Sequence, residues 1–257
     1  SDPLQTMRAL QAAGLTRELK QAEGHTHILY VNCSREELHT VVLSQPHVYY
    51  IGIESLDVSP EGRVIDLNLN VNGINRIHLN YPELDGEGML VSIQERRYNV
   101  DDLDLRGRDV PSDLASTDSE NHATEMANIN AGEGNSSLLG RGVSRAAGIT
   151  SSDFADVLPD SDAAYQNLGI AVQNHSYGTN IEMVYGALAE AFDQSANRNP
   201  TLLHVFSSGN KGDSLTTRGP YAGIAGFANL SGNFKMSKNT MSIGSVDTVG
   251  NPLSGSS

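Results

Sequence analysis

The chain has 257 residues, enough for one large domain or for a small domain beside a larger one. Its 31 Asp+Glu against 17 Lys+Arg give a formal net charge of −14, which excludes a surface built to neutralise phosphates and so excludes nucleic acid as a partner. No apolar run approaches the roughly 20 residues of a membrane span, so the chain reads as not membrane-spanning, and the single cysteine, Cys33, excludes an intrachain disulfide.

Leu4, Met7, Leu10, Leu15 and Leu19 recur at spacings of three to five residues, with Gly14 as a break, and predict one or two helices over 4–23. Residues 27–33 are an apolar run of strand length. Ser34 with Glu37 three residues on predicts a capping box, opening a helix that runs to about Ser44 and stops before Pro46. Val48-Tyr49-Tyr50-Ile51-Gly52-Ile53 reads as a second strand. Strand, helix and strand at this length make a small α+β module, assigned to 1–58. Residues 59–85, with Pro60-Glu61-Gly62 and Asn72-Gly73 as turn signals, read as a linker in which Ile74, Ile77 and Leu79 anchor a short helix.

From Gly86 onward the chain alternates strands and helices separated by glycine turns. Strands are predicted at 89–94, 148–152, 170–175, 202–207 and 240–246, and helices near 122–131, 160–168 and 182–197. Such alternation predicts a mostly parallel sheet with helices on both faces.

Four segments carry chemistry. Asn121-His122-Ala123-Thr124-Glu125-Met126-Ala127 places a histidine at the start of a helix, followed by Gly132, Gly134-Asn135-Ser136 and Gly140-Arg141-Gly142-Val143. Leu203-His204-Val205-Phe206-Ser207-Ser208-Gly209-Asn210 is a strand ending in Gly-Asn, 88 residues after His122. Val172-Gln173-Asn174-His175-Ser176-Tyr177-Gly178 is a strand ending in Ser-x-Gly, and Gly86-Glu87-Gly88-Met89-Leu90-Val91-Ser92-Ile93 leads to Gln94 and Glu95. Singly these are a surface histidine, a turn and two buried strands. In this order and spacing they resemble the subtilisin-like serine peptidases (S8), and are most similar to a divergent branch of secreted or surface-displayed bacterial enzymes. The resemblance covers residues 86–257.

The resemblance implies an α/β, subtilisin-like domain over 86–257, preceded by the 1–58 module as an inhibitory prodomain or an accessory module. It implies a serine endopeptidase that cuts extended polypeptide. His122 is then the general base, Asn210 the oxyanion donor, and Ser176, Tyr177 and Gly178 the strand that pairs with substrate. The position expected to hold the triad aspartate, 28 residues before His122, is Gln94. Glu95 is next; by strand alternation it points to the opposite face from Gln94, and a bulge would be needed to bring it round to His122. The nucleophilic serine is expected beyond Ser257, because Ser254, Ser256 and Ser257 come too soon. The alternative is a pseudopeptidase that binds peptide as part of a surface protein complex without cutting it. Relatives often bind calcium, and the nine acidic residues between 83 and 113 are the neighbourhood for such a site. The expected location is secreted or at the bacterial cell surface.

Overall fold

The computed structural model describes residues 3–15, 19–22, 24–52, 57–61, 69–155, 157–182, 184–217, 221–225 and 229–257. The chain divides into two compact units, 1–54 and 55–257.

In the smaller unit, α1 (Pro3–Ala12) is followed by an antiparallel hairpin of β1 (Lys20–Ala22) and β2 (His25–Tyr30). Helix α2 (Arg35–Glu37) continues as a π-helical segment, Leu38–Val42. The capping box is present: Ser34 Oγ accepts from Glu37 N–H at 3.2 Å, and Ser34 N–H donates to Glu37 Oε2 at 2.7 Å. Leu10, Leu15 and Val42 form the core, with Leu19, Leu29 and Val31 packed on them.

Residues 20–22 are a strand, where one or two helices were expected through residue 23. Gly14 turns the chain at φ +92°, and the segment beyond it pairs with β2. Residues 48–52 are irregular rather than a strand, with Tyr49 83% exposed; Ile53 lies outside the described residues. Side chains that favour strands do not make one without a ladder to join, and among the described residues the sheet here contains β1 and β2 alone.

The larger unit is built on a five-stranded, all-parallel sheet. Its strands are β4 (Leu90–Gln94), β5 (Gly148–Ser152), β6 (Val172–His175), β8 (Leu203–Ser207) and β9 (Met241–Ile243), in the order β5-β4-β6-β8-β9. Two-residue strands β3 (Ser59–Pro60) and β7 (Tyr177–Gly178) pair separately and antiparallel. Helix α4 (Asn121–Ala131) covers one face. Its Ala123, Met126, Ala127 and Ala131 pack with Val91 and Ile93 of β4 and Ile149 of β5. Helix α5 (Asp162–Leu168) covers the other, where Tyr165 packs with Leu90, Ile170 and Leu202. Helix α6 (Ala187–Arg198) adds Phe192, which meets Phe206 of β8 edge to face at 4.9 Å between ring centres. Full burial of such an aromatic ring contributes about 1.5–3 kcal/mol.

Helix α3 (Ile74–Asn80) forms where a short helix was expected, but Ile77 and Leu79 do not anchor it. Leu79 is 81% exposed and Ile77 45%; the helix is tied by His78 Nε2, 2.8 Å from the Val143 carbonyl oxygen.

Strand β4 sits between β5 and β6, so the chain steps one way from β4 to β5 and then crosses back past β4 to reach β6. In an open parallel sheet, a ligand crevice opens at the carboxyl ends of strands where the order reverses. Glu95 follows β4, Ser176 follows β6 and Ser208-Gly209-Asn210 follows β8 at that edge.

Candidate active site

The alternation of β4 decides which side chain reaches His122. Val91 and Ile93 face α4, so Glu95, two residues on, lies on the same face. The loop from 96 to 120 brings the helix start to the strand end. Arg97 N–H donates to Asp118 O at 2.9 Å and Glu120 N–H to Arg97 O at 3.0 Å. Thr124 Oγ1 accepts from Asn99 N–H at 2.9 Å. His122, in the first turn of α4, then places Nδ1 2.6 Å from Glu95 Oε2. Both residues are buried, Glu95 completely and His122 with 6% of its surface exposed.

This contact defines the chemistry available. With Nδ1–H donating to the carboxylate, Nε2 holds its lone pair, as a general base must. Nε2 is buried and has no hydrogen-bond partner among the described residues. Burial opposes a charged imidazolium, but the hydrogen bond and charge of Glu95, with Glu125 and Glu120 nearby, outweigh it and raise the pKa above the ordinary 6.5. Glu95 is itself raised: desolvation dominates, and His122 only partly offsets it.

Gln94 does not orient His122. It projects from the opposite face, where Tyr177 donates its hydroxyl proton to Gln94 Oε1 at 3.0 Å. Gln94 Nε2 donates to Leu158 O at 3.0 Å and Asp153 O at 3.5 Å. The same network continues inward. His175 Nδ1 lies 3.0 Å from the Tyr177 hydroxyl, His175 Nε2 3.0 Å from His204 Nδ1, and Ser195 Oγ 3.1 Å from His204 Nε2. Because Tyr177 gives its proton to Gln94, a single direction of donation satisfies the row: Ser195 to His204, His204 to His175, His175 to Tyr177. Each imidazole is then neutral. Burial holds His175 well below its ordinary pKa and His204 at about 3. A carboxylate in place of Gln94 would put a charge into this dry interior; the amide suits the site because it is neutral and both accepts and donates.

At the cleft, the Ser176–Gly178 edge is already paired. Ser59 lies opposite Gly178 and Pro60 opposite Tyr177, and Glu61 N–H donates to Ser176 O at 2.9 Å. The Glu61 side chain passes beside Gly178, where any Cβ would collide with its carboxylate. It accepts hydrogen bonds from Ser207 Oγ and Ser231 Oγ, and Lys235 Nζ lies 2.8 Å from Oε2. Gly209, at φ +119°, packs its backbone against Ser231 and delivers Asn210, which is exposed.

Sequence reasoning missed Glu61, Ser207, Ser231 and Lys235. Pro60-Glu61-Gly62 reads as a turn, and Lys235 carries no signal of burial except its place between Phe234 and Met236. Among the described residues, no three His, Cys, Asp or Glu side chains come together to hold a metal ion. In the acidic stretch, Asp104 is engaged by Ser136 through both its backbone N–H and its hydroxyl.

The model of the subtilase family, Peptidase_S8, matches residues 62–257. The chain belongs to the subtilase family. Among solved structures, it resembles the prenylagaramide maturation protease PagA, with a TM-score of 0.53 and 17% identity over 72% of this chain and 62% of that one. It also resembles the PatG macrocyclase, solved in complex with peptide, with a TM-score of 0.50 and 10% identity over 76% of this chain and 69% of that one. At these identities the likeness shows the fold alone, a subtilase protease fold on a five-stranded parallel sheet. The chain spans less than two thirds of the length of PagA. No curated protein matches the chain in sequence. No helix among the described residues is long and apolar enough to cross a membrane.

Proposed function

We propose that this subtilase chain carries the base and oxyanion side of a serine endopeptidase that cuts extended polypeptide, acting outside the cell or at its surface. The observation that carries the reading is the buried His122, with Nδ1 on Glu95 and no hydrogen-bond partner for Nε2 among the described residues. A serine hydroxyl supplied beyond Ser257 would donate to Nε2 and attack the scissile carbonyl once that proton moves to the imidazole. Glu95 holds the ring in the required tautomer and stabilises the imidazolium. Asn210, exposed beside the cleft, donates its side-chain amide to the oxyanion. The Ser176–Gly178 edge holds the substrate main chain.

A non-cleaving peptide binder draws support from Gln94 only if Gln94 replaces the triad carboxylate. The Glu95 contact removes that support. The test is a fluorophosphonate probe on the protein that includes the sequence following Ser257. The proposal expects one covalent adduct, lost in His122→Ala. An intact, folded protein that takes no adduct would overturn the proposal and favour the non-cleaving reading.

A further inference from the structure

We propose that the subtilase cleft selects an acidic side chain, glutamate in particular, through a pocket formed by Lys235, Ser207 and Ser231. The inference deepens the peptidase reading above and rests on it for the identity of the cleft.

Segment 59–61 runs antiparallel to Tyr177–Gly178 and gives Glu61 N–H to Ser176 O, as an extended peptide adding a strand to that edge would. Edge pairing of this kind reads main chain, so choice among side chains falls to whatever pocket the side chain enters. Here it enters between Gly178 on one side and Ser207 and Ser231 on the other. That pocket adjoins Gly209, the residue before Asn210. The charge of Glu61 is also felt at Glu95, which it helps to raise. The pocket is therefore within electrostatic reach of the His122 pair.

The pocket is chemically committed. Lys235 Nζ and two hydroxyls donate to one carboxylate, and the Lys235 side chain is fully buried. A buried ammonium without an anion is strongly unfavourable. A peptide that displaced segment 59–61 and brought an apolar or basic side chain would leave Lys235 unpaired. A peptide bringing glutamate would restore every bond. Gly178 leaves room for the side chain to pass, since any Cβ there would occupy its path. Glu61 is thus this chain's own occupant of a site built for an acidic residue.

The probe is the labelled peptide Asp-Val-Ser-Pro-Glu, the sequence of residues 57–61, compared with the same peptide ending in Gln or Lys. Binding is measured by fluorescence polarisation to the full chain and to its Glu61→Ala variant. Glu61→Ala is expected to bind the Glu peptide at least about tenfold more tightly than the Gln peptide, from the value of hydrogen bonds to a charged group. It is expected to bind the Lys peptide least, and the unaltered chain to bind all three weakly because Glu61 holds the pocket. Adding Lys235→Met to Glu61→Ala should abolish the preference; should that variant not fold, Ser231→Ala gives the same reading by narrowing it. Equal affinity of Glu61→Ala for the Glu and Gln peptides overturns the proposal, as does no binding of the Glu peptide, which would make the Glu61–Lys235 pair purely structural. None of these readouts needs a nucleophile. A protein that takes no fluorophosphonate yet prefers the Glu peptide would break the peptidase reading and leave the pocket standing.

Discussion

The two faces of β4 at its carboxyl end treat polar side chains in opposite ways. On the α4 face, Glu95 and His122 form a buried hydrogen-bonded pair that leaves His122 Nε2 and Glu95 Oε1 without partners among the described residues. On the other face, Gln94, Tyr177, His175, His204 and Ser195 form a neutral row in which each ring nitrogen is matched. Burial acts on both, yet His122 is raised and His175 and His204 are lowered, because only His122 has a carboxylate within hydrogen-bond reach. A satisfied network fixes a structure, whereas an unpartnered lone pair in a crevice is available to a substrate or a nucleophile.

The contrast can be broken by substitution. In the protein that carries the nucleophile, His122→Ala and Glu95→Gln should each lower kcat by about 10⁴ or more, with little change in KM. An effect on KM alone would assign the pair to binding. Asn210→Ala should cost about 10²–10³ in kcat, the usual loss of one oxyanion donor. Gln94→Leu should act on the fold instead. It strands the Tyr177 hydroxyl and lowers unfolding free energy by about 1–3 kcal/mol in a denaturant titration.

A smaller effect separates the histidines by pH. His175 and His204 have folded pKa values below the unfolded 6.5, so the unfolded chain binds more protons as pH falls through 6.5. Their burial therefore costs stability progressively below pH 6.5, down toward the folded value of about 3 for His204. His122 is raised, so its contribution is present below 6.5 and is lost as pH rises through its folded value. Replacing His204 with Asn should flatten the acid side of a plot of Tm against pH, and His122→Asn should not.

Much of the larger unit was legible because its signals are local. Strands β4 and β8 are short, largely apolar segments between turns, and α4 opens where Asn121-His122 follows a polar loop. Position 94 was misread because spacing from a family pattern counts residues and not faces. Val91 and Ile93 were the available clue, since they share the parity of Glu95 and not of Gln94. The contact of Glu61 with Lys235 was not legible at all. Glu61 and Lys235 are 174 residues apart, and only the fold brings them within 2.8 Å. The hairpin of the smaller unit was missed for a similar reason: β1 is a strand only because β2 is there to pair with it.

The central claim is that Glu95, not Gln94, sets the state of His122. It is tested most directly by an NMR titration of the His122 ring in the native chain, in Glu95→Gln and in Gln94→Leu. The account predicts a midpoint above 6.5 in the native chain and in Gln94→Leu. In Glu95→Gln the largest raising influence is gone, Glu125 and Glu120 alone oppose burial, and the midpoint falls from its native position. A midpoint that falls in Gln94→Leu and stays put in Glu95→Gln would contradict it.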